Sequence, residues 1–339
     1  MKKYLLNGKN SYKANLHCHT TISDGRKTPE EVKELYKKLG YSIVAYTDHD
    51  VLIPHPELCD DTFIAMNGFE VEVNEPNKSG FIDTQTAHIC FVGLDPDNVI
   101  QPIWHRTKYL FGNAPKYREL VKFDENEPDF EREYSGEGIS RIMKTGRDKG
   151  FFVTYNHPTW SLEGYTEYMG YHGMNAMEVF NGSCIASGFD DYNPRVYDDI
   201  LRGGEKIYAI GADDNHNIAP DGSPRSDSGQ AYTVIMADKL EYRTVAKALS
   251  DGNCYASEGP EIKEIWCEDG KLHITTSAAK KITCTADLRY ARVAHAENGV
   301  LVTEAEFELP ERFNYVRFTV VDAEGKRATS RAFFVEEIK

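Results

Sequence analysis

Histidines and carboxylates recur along this chain in short, ordered groups. The first is Asn15-Leu16-His17-Cys18-His19, followed by Ser23-Asp24-Gly25 and Thr47-Asp48-His49-Asp50. Side chains two apart on an extended chain leave from one face, so His17 and His19 project together, with Cys18 on the other side. Two imidazoles on one face, with a carboxylate five residues on, can close around a divalent cation. Downstream come Glu70, His88, Asn156-His157-Pro158 and Asp213-Asp214-Asn215-His216. The candidate ligands are therefore His17, His19, Asp24, His49, Glu70, His88, His157, Asp214 and His216. One tetrahedral zinc takes about four ligands, so this set suits two or three divalent metals with bridging carboxylates. Asp213 competes with its neighbour, but the Asp-x-His spacing puts Asp214 on the face of His216.

These side chains need rigid elements to present them. Lys13–His19 and Ser42–Tyr46 read as strands that deliver the first two groups. Between them Thr28-Pro29-Glu30-Glu31 reads as a helix start with a capping box. Val32, Leu35, Tyr36 and Leu39 form one apolar stripe, and Gly40 ends the helix. The rhythm repeats. Phe63–Met66 leads to Glu70, helix Ile139–Lys149 precedes strand Phe151–Tyr155 and His157, and Ala176–Phe180 follows. Helix Val196–Leu201 precedes strand Lys206–Gly211 and Asp214. Alternating apolar strands and helices predict a parallel sheet covered on both faces, with its chemistry at the carboxyl ends of the strands. His88 breaks the pattern, because it begins its apolar run instead of ending it. Residues 95–138 lack periodicity and read as an insertion or lid. From about residue 261, short alternating runs such as Leu272–Thr276, Val302–Leu309 and Tyr315–Val321 predict a small β-sandwich.

Composition narrows the function. The net charge of −15 argues against nucleic acid as a non-specific partner and against anionic membrane surfaces. The sequence has no apolar run of about 18 residues, the length a membrane span needs. Seven scattered cysteines with no Cys-x-x-Cys pair read as reduced thiols in a cytoplasm.

In order and type, the His-x-His, Asp24, Thr-Asp-His, Glu70, His88, Asn-His-Pro and Asp-x-His groups resemble the PHP (polymerase and histidinol phosphatase) superfamily over residues 13–260. The segment Cys254–Ile262, followed by a β module, is similar to two-domain members. The resemblance implies a distorted seven-stranded β/α (TIM-like) barrel over residues 1–260, a β-sandwich-like domain over 261–339 and a trinuclear site. It assigns His17, His19, Asp214 and a bridging Glu70 to one metal. Glu70, His88 and His157 go to a second, and Asp24, His49 and His216 to a third. The carboxylate at Asp24 marks the phosphoesterase-like branch.

Three divalent cations, set against those three carboxylates and one bridging hydroxide, leave a local charge of about +2, suited to a phosphate monoester dianion. The implied activity is hydrolysis of a small phosphorylated metabolite by a metal-bridging hydroxide, with zinc, manganese or iron as the ion. Asp214, His216, Glu70 and Asp48 carry the catalytic expectation, Asp48 by orienting an imidazole. Arg225 and Arg195 are candidate phosphate clamps. A cyclic phosphodiester, a phosphonate or a carboxylic ester could serve the same centre, as could a binding module without turnover. Oligomeric state is not legible.

Overall fold

The computed structural model describes residues 2–339 except Asn77 and Ser79–Phe81. Strand β1 (Lys3–Leu6) precedes β2 (Asn10–Asn15), helix α1 (Pro29–Lys38) and β3 (Ile43–Tyr46). The capping box forms: the Thr28 hydroxyl accepts from the Glu31 amide at 3.3 Å, and Glu31 accepts from the Thr28 amide at 2.9 Å. Gly40, at φ +81°, takes the left-handed position that ends the helix.

Strand β4 (Ile64–Asn74) is 11 residues long and carries Glu70 within it; the expected end at Met66 is too early. The cause is its neighbour β5 (Thr86–Gly93), which pairs with β4 antiparallel along seven register positions. Strand β6 (Phe151–Tyr155), which follows helix α2 (Gly136–Asp148), is also antiparallel to β5. This reversal accounts for His88. In a strand running backwards, the first residues lie where the parallel strands end.

Short helix α3 (Tyr165–Tyr168) leads to β7 (Ala176–Asn181). Helices α4 (Gly182–Ala186) and α5 (Pro194–Arg202) lead to β8 (Tyr208–Ala212). Strands β2–β3–β4 and β6–β7–β8 pair parallel within their groups. Beyond the ends of β2 and β8, Cys18 and Asn215 form an isolated parallel bridge, and the Asp214 amide donates to His17 O at 3.0 Å. The two ends of this strand series therefore meet at the motifs that carry the candidate ligands.

The fold is mixed α/β with a 14-stranded sheet, not seven, because antiparallel strands extend it on the β2 side. Strand β9 (Tyr232–Ala237) pairs with β2 and, after helix α6 (Tyr242–Ser250), with β10 (Cys254–Ser257). The C-terminal region supplies β11 (Ile262–Glu268), β12 (Lys271–Ala279), β13 (Lys281–Ala286), β14 (Ala291–His295) and β15 (Val302–Glu308). It continues with β16 (Tyr315–Val321), β17 (Arg327–Ser330), β18 (Phe333–Phe334) and helix α7 (Val335–Ile338). Strands β1, β11, β12 and β15 form a separate antiparallel sheet, while β17 pairs with β10 in the large one. An apolar layer including Leu6, Met236, Ile265, Ile274 and Phe318 fills the space between the sheets. Hydrogen bonding thus crosses the expected 260/261 boundary, and the N-terminal strand belongs to the C-terminal sheet.

Residues 95–138 contain a 3-10 turn, Ala114–Leu120, and are otherwise irregular until α2 begins at Gly136. They are fastened to the body: Trp104 and Val121 pack with Ile22 and Val51. No helix of the described residues is long and apolar enough to cross a membrane.

Candidate metal centre

The sequence-predicted ligands converge at the ends of these strands. His17 Nε2 lies 3.2 Å from Glu70 Oε1 and 3.2 Å from Asp214 Oδ1. His19 Nε2 lies 3.0 Å from Asp214 Oδ1 and 3.3 Å from Glu70 Oε2. His49 Nδ1 and His88 Nδ1 approach Glu70 at 3.1 and 3.0 Å. His157 Nε2 is 3.7 Å from Asp214 and 3.9 Å from Glu70. His216 Nε2 is 3.2 Å from Asp24 Oδ2. Glu70 is fully buried at the centre, whereas the Asp24 and His216 side chains are 25% and 21% exposed. The cluster therefore opens at that edge.

Outer contacts orient these rings. Glu178, buried on β7, accepts from His17 Nδ1 at 2.8 Å, which leaves the Nε2 lone pair facing inward. Ser161 and Ser23 hydroxyls meet the Nδ1 atoms of His157 and His19 at 3.1 and 3.4 Å. His216 Nδ1 donates to Asp214 O at 3.0 Å. Backbone geometry is also constrained: Asp50, His157 and Asp214 all have positive φ, at 65°, 25° and 51°. Such conformations persist only where the surroundings enforce them, and they gather at functional sites. Gly25 turns the Asp24 loop so tightly that a Cβ there would meet His19 O at 2.6 Å.

Burial alone would raise the Glu70 and Asp214 carboxyls, but the surrounding imidazoles hold both well below the usual carboxylate range. Asp24 is likewise held low, chiefly by His216 against its own burial. His88 and His216 rise to about 9 despite burial, because Glu70 faces the first and Asp24 and Asp214 face the second. His49 falls to about 3, since burial outweighs Glu70.

The donor atoms fit divalent cations. His49 Nδ1 and Glu70 Oε2 are buried, have no hydrogen bond and face each other at 3.1 Å. His17 and His19 point their Nε2 atoms at each other across 3.1 Å. Buried imidazole and carboxylate atoms brought this close, with His49 Nδ1 and Glu70 Oε2 left unpaired, are donor atoms that fit a bound cation. Four groups have donor atoms within 4.8 Å of one another: His19/Asp24/His49/His216, His17/His19/Glu70, His17/His157/Glu178 and His49/Glu70/His88. The expected second set, Glu70/His88/His157, is split between the last two.

Glu178 is absent from the ligands expected from sequence, although a lone carboxylate inside Ala176-Met177-Glu178-Val179-Phe180 is a signal. Asp213 does not share the role of Asp214. It accepts from the amides of Gly229, Gln230 and Ala231 and from the hydroxyls of Tyr36 and Tyr41. Asp48 has partners other than an imidazole: it accepts from the amides and hydroxyls of Thr20 and Ser23, fixing the loop beyond His19. Asp50 holds Arg132 of the insertion at 2.6 Å. Arg195 is not brought to the cluster; it pairs with Asp199 along α5 at 2.8 Å. Arg225 is exposed and has no hydrogen bond or ion pair among the described residues.

Such a concentration of inward-facing imidazoles and carboxylates has the donor set of a metal-binding site. Comparisons with known proteins add neighbours of low similarity. No family model and no curated protein matches the chain. Among solved structures, a two-domain protein from Bacteroides vulgatus containing a predicted PHP-like metal-dependent phosphoesterase is 15% identical, with a TM-score of 0.44. The overlap covers 99% of this chain and 91% of that one. A candidate metal-dependent phosphoesterase from Bifidobacterium adolescentis is 15% identical over 62% of this chain and 90% of that one, at a TM-score of 0.37. An amidohydrolase from Chromobacterium violaceum, with bound sulfate and no metal, is 18% identical over 61% and 88%, at 0.38. Overlaps this loose carry no weight for the chemistry.

Proposed function

We propose that the chain is a metal-dependent hydrolase of phosphate esters of small metabolites, acting with two or three divalent ions (zinc, manganese or iron). The observation that carries this reading is the unsatisfied pair His49 Nδ1 and Glu70 Oε2, buried in a ring of inward-facing imidazoles. The motif order that resembles the PHP superfamily supports it, and β2 to β8 would then form the distorted barrel of that superfamily.

When bound, such ions bring the pKa of a coordinated water down towards about 7 and neutralise phosphate oxygens. His17, His19, Glu70 and Asp214 would hold one ion and Asp24, His49 and His216 another. His88 and His157 would complete the set with Glu70. Glu70 sits where it can serve more than one ion, and Glu178 keeps His17 turned inward. Asp24 and His216 form the open edge at which substrate enters. Asp48 acts as a positioning residue through Thr20 and Ser23, and the unengaged Arg225 is available to a phosphate oxygen. Seven free thiols favour a reducing compartment, the cytoplasm.

The test is a panel of phosphomonoesters, cyclic diesters, phosphonates and carboxylic esters on manganese-, iron- and zinc-loaded protein, with bound metal counted. Asp214→Ala and His157→Ala should each lose an ion and most of the turnover. Full activity with unchanged metal content overturns the assignment. Metal binding without turnover across the panel favours the binding module.

A further inference from the structure

A cavity of about 380 Å³ opens beside His88, between Glu72 and Thr86 on one side and Trp160, Leu162 and Phe189 on the other. It abuts the candidate metal centre at the His88 ring, whose Nδ1 is 3.0 Å from Glu70. Trp160 walls it, its indole edge-on to His88 and His157 with ring centroids 5.3 and 5.1 Å apart. Asp191 fixes this loop by accepting from the Trp160 amide at 3.1 Å. Leu162 and Phe189 leave 45% and 42% of their surface open.

The exposure of Leu162 is enforced. Its φ of +59° is costly for a leucine, and it is held by a hydrogen bond from its amide to Thr159 O and one from Gln85 to its carbonyl. Apolar groups held open next to a charged centre are what a binding pocket for the uncharged part of a substrate requires. The volume is at the lower end of the roughly 300–1,000 Å³ of ligand pockets, enough for a ring system. Charge disfavours a second phosphate here: Glu72 stands 3.9 Å from His88 Nε2, and Lys78, also in the lining, is paired with Glu75 and Asp83.

We propose that this cavity takes the alcohol side of the ester and that this alcohol carries an uncharged aromatic ring, a proposal that rests on the phosphoester reading above. Trp160 and Phe189 would face the ring, as aromatic pairs do at centroid separations of about 4.5–7 Å.

Non-hydrolysable phosphonates test this without relying on turnover. Calorimetry on manganese-loaded protein would compare benzylphosphonate with methylphosphonate, for the native chain and for Phe189→Ala and Leu162→Gly. The glycine relaxes the positive φ, and neither residue is among the candidate ligands. Benzylphosphonate should bind the native chain about tenfold or more tightly than methylphosphonate, and each variant should lose most of that advantage while keeping its metal and its methylphosphonate affinity. Equal affinities, or a benzyl preference that survives both substitutions, overturn the pocket assignment and leave the phosphoester reading standing. If neither phosphonate binds the metal-loaded protein, the phosphoester reading fails and the pocket proposal falls with it.

Discussion

Two buried polar regions of this chain are built on opposite terms. Where α5 meets the C-terminal strands, Arg317 is 6% exposed and donates through Nε and Nη2 to Asp198 at 2.8 Å each. Arg331, equally buried, donates twice to Glu337. In the cluster, imidazoles face imidazoles, and His49 Nδ1 and Glu70 Oε2 face each other without a hydrogen bond. Protein interiors rarely leave polar atoms unpaired. The arginine seam is thus complete as folded, while the cluster keeps buried polar atoms unpaired. Burial is common to both; saturation of the polar atoms separates the arginine pairs from the candidate site.

Removing one member of the unsaturated region should therefore abolish function without unfolding the protein. For Asp214→Ala we expect loss of at least one ion and a fall in turnover of more than about 1,000-fold, beyond the roughly 10–100-fold that changes in outer partners cost. Metal analysis and steady-state kinetics measure this; a variant that loses its fold instead would place Asp214 with the saturated class. Arg317→Ala should do the reverse. It strands Asp198 and should cost about 3–5 kcal/mol in urea unfolding, with metal content unchanged. A stability loss under about 1 kcal/mol would mean that the pair behaves like an exposed one.

Glu178 stands between the two classes, since it belongs to the cluster and yet has its hydrogen bonds made. Glu178→Gln keeps an acceptor for His17 Nδ1 but removes the charge. We expect metal affinity to fall about 10–100-fold with little change in metal-free stability. An unaltered affinity would show that the carboxylate does not act through His17.

Legibility in the sequence follows the same division. The candidate ligands stand out because a core built for packing alone does not set histidines at fixed spacing after its apolar runs, and α1 is legible from its capping box and stripe. His88 can be found but not placed, since nothing in a short apolar run states its direction; only pairing with β4 and β6 does. Glu178 is hidden for a related reason. Whether one charged residue in a strand meets solvent or His17 depends on a neighbour 161 positions away. The sheet's extension through β9 and β10, and the seating of β1 in the C-terminal sheet, are also long-range pairings that local pattern does not encode.

Glu163 provides the finest discrimination, because it is saturated and yet titratable near neutrality. It accepts from Tyr134 at 3.0 Å, from Tyr155 at 2.6 Å and from Tyr171, so the end of the insertion is tied to the loop after His157. Burial raises its carboxyl to about 7, against the three hydroxyls that favour the anion. The unfolded chain has a glutamate near its ordinary value of about 4.3. Between those two values the folded state binds a proton that the unfolded state does not, so stability falls as pH rises through the window and levels off above about 7. The slope from this one group is at most about 1.4 kcal/mol per pH unit. Glu163→Gln removes that titration while filling the same space. Thermal unfolding of metal-free protein at pH 5 and pH 7.5 should therefore show a smaller drop for the variant than for the native chain. Identical drops would mean that the three tyrosines hold the anion well enough to cancel its burial, which would put Glu163 with Asp198 rather than between the two regions.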